Sequence, residues 1–238
     1  MFKHKDTKAG TKNTKVARSM NVTEALKARI SIRAFKPDPL HETTVREIIG
    51  VARYAPSGGN LQPWNVIAVA GAERDAVSAL AKANLPGIED DRPVYPHNLW
   101  EPYRTRRFKV GEDMYALLGI PRENKPARLM HLAQNFDFFG APVGLFFIID
   151  KRMGHGQWAH LGMFMQSVAL AALEHGVQSC MQEAWARMRA PLAAHFGLDD
   201  NDMVYCGMAL GYADMSKPVN TLRSDRASVE ELAVFRGF

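Results

Sequence analysis

One segment restricts the possible folds more than any other. Residues 156–176 read GQWAHLGMFMQSVALAALEHG, a helical stretch that is apolar almost all round and ends at Gly176, a typical helix terminator. A helix of this kind offers solvent no polar face and must be enclosed. The sequence therefore predicts that it packs in a core or against a second subunit.

The remaining pattern predicts an α+β fold. Strands are expected at 65–71, 142–150, 177–181 and 203–212, and helices at 42–54, 74–84 and 189–197. Asn21, with Glu24 three residues later, forms a capping-box pattern ahead of a further helix. The long apolar strand at 203–212 is expected to lie centrally. We therefore predict a central mixed sheet covered by helices.

Residues 21–238 are predicted to form one domain, and residues 86–126 form an insert within it. The insert is rich in Pro, Tyr, Arg and Asp and has only short helical signals. It shapes a substrate pocket in our interpretation, and its aromatic side chains either line that pocket or pack the insert onto the body. These side chains are Tyr95, Trp100, Tyr103 and Phe108.

The formal net charge of +5 is concentrated at one end of the chain. Residues 1–18 hold six Lys or Arg and one Asp, and the remaining 220 residues carry 24 basic and 24 acidic side chains. We predict a flexible basic tail at 1–20 and no nucleic-acid partner, because no basic face continues into the folded part. We expect no membrane span, because the sequence has no apolar run of membrane-spanning length. We expect a cytoplasmic protein, because no secretory segment occurs and the two cysteines, Cys180 and Cys206, are isolated as in a reducing compartment.

The stretch RISIR (29–33) alternates in polarity. In an extended backbone Arg29, Ser31 and Arg33 point to one side and the two isoleucines to the other. Two guanidiniums and a hydroxyl make a suitable surface for a phosphate and other oxygen acceptors. The alternative is a solvated edge strand.

The loop APSGGNLQPW (55–64) is rich in small and polar residues. Its two glycines let the backbone approach a planar ligand or adopt positive φ, and Ser57, Asn60 and Gln62 offer donors and acceptors for an amide-like edge. The alternative is a helix stop followed by a turn, which explains the glycines but not the Gln-Pro-Trp that follows.

The stretch TLRSDR (221–226) places Arg223 and Arg226 after the last predicted strand. Little apolar content anchors this segment. It is either part of a ligand site or a surface tail.

The stretch GHGQWA (154–159) imitates a dinucleotide-binding fingerprint, because it fits G-x-G-x-x-A, follows a strand and opens a helix. Three residues separate the strand from Gly154, Trp158 is bulky beside the supposed pyrophosphate, and Glu174 lies at a helix end. A Rossmann-type NAD(P) dehydrogenase is therefore kept as the alternative with the least support.

No other reaction centre stands out. The sequence has no G-x-S-x-G elbow and no G-x-x-x-x-G-K-[ST] loop. His155, His160 and His175 lack metal-ligand spacing with a carboxylate or cysteine, so no metal site is predicted.

Three motifs taken together resemble the FMN-dependent nitroreductase family. They are RISIRAF near the start, ARYAPSGGNLQPW after the second helix, and CGMALGYAD with PVNTLRSDR at the end, in matching order across residues 22–230. The insert PYRTRRFKVGEDMYALLGIPRENKPAR with FFGAPV resembles the branch that acts on nitroaromatic compounds such as nitrobenzoate. The resemblance implies a nitroreductase-like α+β fold and an intertwined homodimer with FMN at the interface.

The resemblance also implies residue roles in binding FMN. Arg29 and Ser31 are expected at the phosphate and ribityl oxygens, Arg33 at the O2 edge of the flavin, and Arg223 and Arg226 at the phosphate.

Further roles follow from the same resemblance. The main chain near Gln182 or Glu183 is expected to face the flavin N5, and Asn135 to meet the pyrimidine edge. The partner subunit is expected to lay one loop along the ring, through Pro56, Ser57, Gly58 and Asn60.

The implied activity is that of an NAD(P)H oxidoreductase. NAD(P)H delivers two electrons to FMN and leaves, and a small aromatic acceptor, nitroaromatic or quinone-like, takes its place in a ping-pong scheme. Solvent can protonate the product, so no side chain is predicted to be strictly catalytic. The alternative is a flavoprotein of the same fold with a non-reductase role, such as flavin fragmentation or sensing.

Overall fold

The computed structural model describes residues 20–88 and 93–238, and nearly all of the predicted basic tail lies outside these ranges. Within these ranges, four short 3₁₀ helices lie at Gly58–Asn60, Gln134–Gly140, Glu183–Met188 and Pro218–Thr221. The helices and strands are α1 (Val22–Ala28), α2 (Glu42–Ala52), β1 (Asn65–Ala70), α3 (Gly71–Ala83), α4 (Tyr103–Leu117), α5 (Lys125–Ala133), β2 (Val143–Asp150), α6 (His155–Glu174), β3 (Gln178–Gln182), α7 (Arg189–Phe196), β4 (Asp202–Gly211) and α8 (Val229–Leu232).

The four strands form one sheet in the order β1-β2-β4-β3, so β4 is paired on both sides as expected. The α+β class is confirmed. The ladders of the sheet are not mixed, however, because every neighbouring pair of strands is antiparallel. Among the described residues, the parallel pairing is one isolated bridge between Ser31 and Ser179. Hydrophobic patterning identifies a strand but does not give the direction of its neighbour.

Helices cover both faces of the sheet. Seven of the eight residues of β2 are buried, which explains its continuous apolar run. Leu145 and Phe147 point into one core with α2 and α6. Phe146 and Ile148 point into a second core with α3 and α7. Alternate residues of one strand therefore supply two cores.

The capping box predicted for the first helix is present. Asn21 Oδ1 accepts from the backbone N–H of Glu24 at 2.9 Å, and the backbone N–H of Asn21 donates to Glu24 Oε2 at 3.0 Å. These bonds satisfy two donors that a helix start otherwise leaves unpaired. The capping box therefore fixes where α1 begins, and Arg29 follows its last residue.

Within this one chain, α6 is enclosed mainly along its C-terminal half. Leu161 is the first of its buried residues, and 46% of Met163 is exposed. Gly176 follows the helix with φ +67°, and its N–H donates to Leu173 O at 3.0 Å. The chain alone leaves the apolar side around Met163 uncovered.

Candidate functional site

Two arginine-bearing segments from opposite ends of the described chain meet at one cavity. The cavity has a volume of about 420 Å³ and is lined by Arg29, Ser31, Arg33, Arg223 and Arg226, with Lys27 and other residues. Its lining, as far as the chain is described, contains five cationic side chains and no carboxylate. The structure thus brings these five predicted residues together, and their binding role stays a prediction.

Asn220 ties the two segments to each other. Its Oδ1 accepts from the backbone N–H of Arg33 at 2.8 Å, and its Nδ2 donates to Ala34 O and Asp214 O, each at 2.8 Å. The side chain is fully buried, and its polar atoms are satisfied. Sequence reasoning did not single out Asn220; the available signal was its place in the motif PVNTLRSDR.

The RISIR stretch runs along the open edge of β3. The backbone N–H of Ile32 donates to Ser179 O at 3.0 Å, and 1% of the Ile32 side chain is exposed. Further along, the N–H of Lys36 donates to Tyr212 O at 2.8 Å. The expected alternation holds in part: Ile32 lies in the core and Ser31 and Arg33 lie at the cavity, but Ile30 lines the cavity as well.

Positive charge is concentrated at this cavity. Burial, and then the charge of Arg226, lower the pKa of Arg29. Burial also raises the pKa of the Cys180 thiol, and this rise is opposed by the charge of Arg33, by a hydrogen bond from Ser31 and by the charge of Arg29. An anion placed among these groups would relieve their mutual repulsion.

The two C-terminal arginines bond to neutral oxygens of their own segment. Arg223 donates to Leu222 O at 3.2 Å, and Arg226 donates to Ser224 O at 2.8 Å. The neighbouring carboxylate of Asp225 pairs with Lys109 of α4 at 3.0 Å. Because a guanidinium has five N–H donors, both arginines retain donors for an anion.

A larger cavity of about 1,040 Å³ begins where β3 ends. Its lining is mostly apolar and includes Leu129, Phe136, Met165, Met181 and Tyr205. Three of the predicted site residues also line it, namely Asn135, Gln182 and Glu183. A cavity of this size with a mostly apolar lining suits an aromatic ligand.

The side chains of Gln182 and Asn135 are engaged with the protein itself. Gln182 Nε2 donates to Asn135 O at 2.8 Å, and Gln182 Oε1 accepts from Trp185 Nε1 at 3.4 Å. Asn135 Nδ2 donates to Leu132 O at 2.9 Å. Gln182 therefore acts as a brace between the turn after β3 and the Asn135 segment.

The insert supplies one wall of the larger cavity. Burial, together with the charge of Glu183 and a hydrogen bond to it, raises the pKa of Tyr95, and the charge of Arg107 opposes this rise. The Arg107 guanidinium lies 4.2 Å from the centre of the Tyr95 ring. Tyr95 and Arg107 both line the cavity.

The other aromatic candidates of the insert lie elsewhere. Trp100 and Tyr103 meet edge to face, with ring centroids 5.6 Å apart, and line an adjoining hollow of about 420 Å³. The guanidinium of Arg122 lies 5.1 Å from the centre of the Phe108 ring. Tyr95 is therefore the one of the four that the structure places in the lining of the larger cavity.

The loop with Pro56, Ser57, Gly58 and Asn60 is not among the lining of either cavity of its own chain. Ser57 Oγ accepts from the Gln62 N–H at 2.9 Å, and the Gly58 N–H donates to His160 Nδ1 at 3.4 Å. A Cβ on Gly58 would lie 3.1 Å from the His160 ring. One chain alone therefore does not bring this loop to the other predicted site residues.

An aromatic contact holds the base of the same loop on α6. The rings of Trp64 and Phe164 stack with centroids 4.8 Å apart and planes 4° apart. Gly59 has φ +58°, a conformation that favours glycine. Trp64 thus anchors the end of this loop on α6.

The dinucleotide interpretation of residues 154–159 is wrong. α6 connects β2 to β3, but β4 lies between these strands and is antiparallel to both, so no adjacent parallel pair exists there. Trp158 instead donates to Met153 O at 3.0 Å. A Cβ on Gly154 or Gly156 would meet nothing within 4 Å, so neither glycine serves a close approach.

Comparison with known proteins decides the family. A model of the nitroreductase family matches residues 26–212. The chain belongs to the nitroreductase family. It is 38% identical to the 4-nitrobenzoate reductase of Pseudomonas putida over 212 residues, 89% of this chain and 93% of that protein. It is 33% identical to the nitrobenzene nitroreductase of Ectopseudomonas oleovorans over 218 residues, 90% of this chain and 96% of that protein.

Solved structures of this family share the fold. The FMN and NADPH-dependent nitroreductase NfnB from sphigopyxis sp. strain HMH superimposes with a TM-score of 0.87 at 41% sequence identity, covering 92% of this chain and all of that one. Within the described ranges, no helix is long and apolar enough to cross a membrane. The same residues contain no cluster of three or more His, Cys, Asp or Glu suited to a metal ion.

Proposed function

We propose that the protein is an FMN-dependent NAD(P)H oxidoreductase that reduces nitroaromatic or quinone-like acceptors by ping-pong two-electron transfer. The observation that carries the proposal is the meeting of Arg29, Ser31 and Arg33 with Arg223 and Arg226 at one cavity. Membership of the nitroreductase family supports it, because relatives covering nearly the whole chain are named as nitroreductases.

The smaller cavity fits the phosphate of FMN. Five cations and no carboxylate among the described lining residues favour a dianionic group, and guanidinium pairs match phosphate oxygens in a bidentate manner. Arg29 and Arg226 would hold the phosphate, and Ser31 would bond a ribityl oxygen. Bound FMN supplies the two-electron chemistry that side chains lack.

The larger cavity would receive the flavin ring and then the acceptor. The main chain of the turn after β3, which Gln182 braces, would face the ring at one side, and the apolar lining would exclude water from the reacting centre. Arg33 would lie at the pyrimidine edge, where its charge stabilises the anionic reduced ring. No acid or base side chain is required, because solvent protonates the product.

We propose that the working form is a homodimer. The loop at 56–60 lies away from both cavities of its own chain, so a second subunit is needed to bring it to a flavin ring. Apolar side chains near it are exposed, including Tyr54 at 79%, Leu61 at 56% and Met163 at 46%. Burying such a patch against a second copy is favourable.

A spectrum and an assay test the proposal. The purified protein should be yellow, or become yellow on adding FMN, and should oxidise NADH or NADPH with 4-nitrobenzoate, nitrobenzene or benzoquinone. Ping-pong kinetics should give parallel double-reciprocal lines. A protein that stays colourless with added FMN overturns the proposal. A yellow protein that reduces none of these acceptors would support the alternative, a flavoprotein of the same fold with a non-reductase role.

A further inference from the structure

The larger cavity carries an uneven charge on one wall. Its charged lining residues are Arg107, Glu183 and Arg187, which give a formal net charge of +1 within the described lining. Glu183 is engaged by the Tyr95 hydroxyl, and Arg187 Nε donates to Pro86 O at 3.1 Å. The wall therefore keeps an excess positive charge, to which both Arg107 and Arg187 contribute.

Arg107 differs from the other cations of α4. Arg104 pairs with Glu101 at 2.8 Å, Arg106 pairs with Glu231 at 2.9 Å, and Lys109 pairs with Asp113 at 2.7 Å. Arg107 has no carboxylate partner among the described residues and rests instead on the Tyr95 ring. A guanidinium that lies over an aromatic ring keeps N–H donors for hydrogen bonds.

We propose that the acceptor of this enzyme is an aromatic carboxylate and that Arg107 binds its carboxylate group. The inference rests on the proposed nitroreductase function and names the acceptor class for it. The apolar lining, with Leu129 and Phe136, takes the aromatic ring, and the Arg107 edge pairs with both carboxylate oxygens. One negative charge on the acceptor neutralises the single excess positive charge of the wall.

Paired acceptors of the same shape test this directly. The ratio of kcat/KM for 4-nitrobenzoate to kcat/KM for 4-nitrobenzamide is measured for the wild type and for R107Q. The wild type should favour the carboxylate, and R107Q should lower the ratio about tenfold or more, because a charge-assisted bond is lost. The matched control is R104Q on the same helix, which should keep the wild-type ratio, because Arg104 lines neither cavity.

A binding measurement separates this inference from the proposed function. Benzoate and benzamide, which are not reduced, are titrated into the FMN-loaded protein and followed by the change in flavin absorbance. Benzoate should bind the wild type more tightly, and R107Q should remove that preference. Equal binding of the two ligands by the wild type, or an unchanged preference in R107Q, overturns the inference even when nitro compounds are reduced. A protein that prefers benzoate but reduces no acceptor contradicts the proposed function instead.

Discussion

The backbone N–H of Arg33 donates to Oδ1 of Asn220 over 2.8 Å, although 187 positions separate the two residues. The same side chain bonds Ala34 O and Asp214 O, so one buried amide fixes the spacing between the RISIR stretch and the C-terminal segment. The cationic cavity lies between these two segments. Its geometry therefore depends on a residue that does not line it.

Asn220→Ala should lower both stability and FMN affinity. The change leaves buried backbone groups unpaired, and we expect the free energy of unfolding to fall by about 2–4 kcal/mol. FMN should also dissociate more readily, because the arginines lose their spacing. Asn84→Ala is the control, since that exposed amide bonds Leu80 O outside the site. Unfolding in urea and titration with FMN check both effects, and an Asn220→Ala protein that matches Asn84→Ala in both would refute this role.

Arg226→Gln should weaken FMN binding more than riboflavin binding. The lost guanidinium is assigned to the phosphate, which riboflavin lacks, so FMN affinity should fall about tenfold, or ~1.4 kcal/mol. Arg46→Gln is a control, because Arg46 is exposed and pairs with Glu42 on α2. Fluorescence titrations with the two flavins measure the difference. An equal loss for both flavins would place the phosphate elsewhere.

Gly207→Ala should disturb the turn after β3. A Cβ at this position of β4 would overlap the Trp185 indole, which is fully buried and bonds Gln182. We expect a loss of about 1–3 kcal/mol in stability and a lower flavin occupancy. Gly111→Ala is the matched control, because its Cβ would meet nothing within 4 Å. In a helix, alanine is more stable than glycine by about 0.5–1 kcal/mol. Thermal unfolding of the two variants should therefore shift in opposite directions, and equal shifts would contradict the packing argument.

His131 should make the protein less stable at mildly acidic pH. Burial and the charge of Arg33 lower the pKa of His131 from 6.5, and a hydrogen bond to Gln134 opposes this shift. Its Nε2 has no hydrogen-bond partner among the described residues. The unfolded chain then binds more protons than the native state between the lowered pKa and 6.5, so stability falls as pH drops through this window.

Replacing this imidazole should flatten that pH dependence. In His131→Phe the free energy of unfolding should change less between pH values above and below the window than in the wild type. The exposed His97→Gln should behave like the wild type. Urea unfolding of the FMN-loaded proteins at each pH measures the slope. Identical slopes for the wild type and His131→Phe would show that His131 does not titrate in this way.

Local elements were largely predictable, since they depend on short-range pattern. The helix expected at 156–176 runs His155–Glu174, and the strand expected at 203–212 runs Asp202–Gly211. The Asn21 capping box is also as expected. In each case the periodicity of apolar residues, or a local cap, carries the information.

Long-range arrangement was less accessible. The antiparallel ladders depend on chain connections that strand patterning does not record. The role of Asn220 depends on partners that lie far away in the sequence. Arg107 looks like one more charge of α4 until its neighbours are seen to be paired. The RISIR and TLRSDR arginines were assigned to one site through the resemblance to the nitroreductase family, because the residue pattern alone left a solvated edge strand and a surface tail open.

The structure of the FMN-bound protein tests the central claim most directly. We expect two copies of the chain, with the phosphate of each FMN bonded to Arg29 and Arg226 of one protomer. The segment at 56–60 that lies along that flavin ring should come from the other protomer. A phosphate bound away from the Arg29–Arg226 cavity, or a flavin enclosed by one chain alone, would contradict the account.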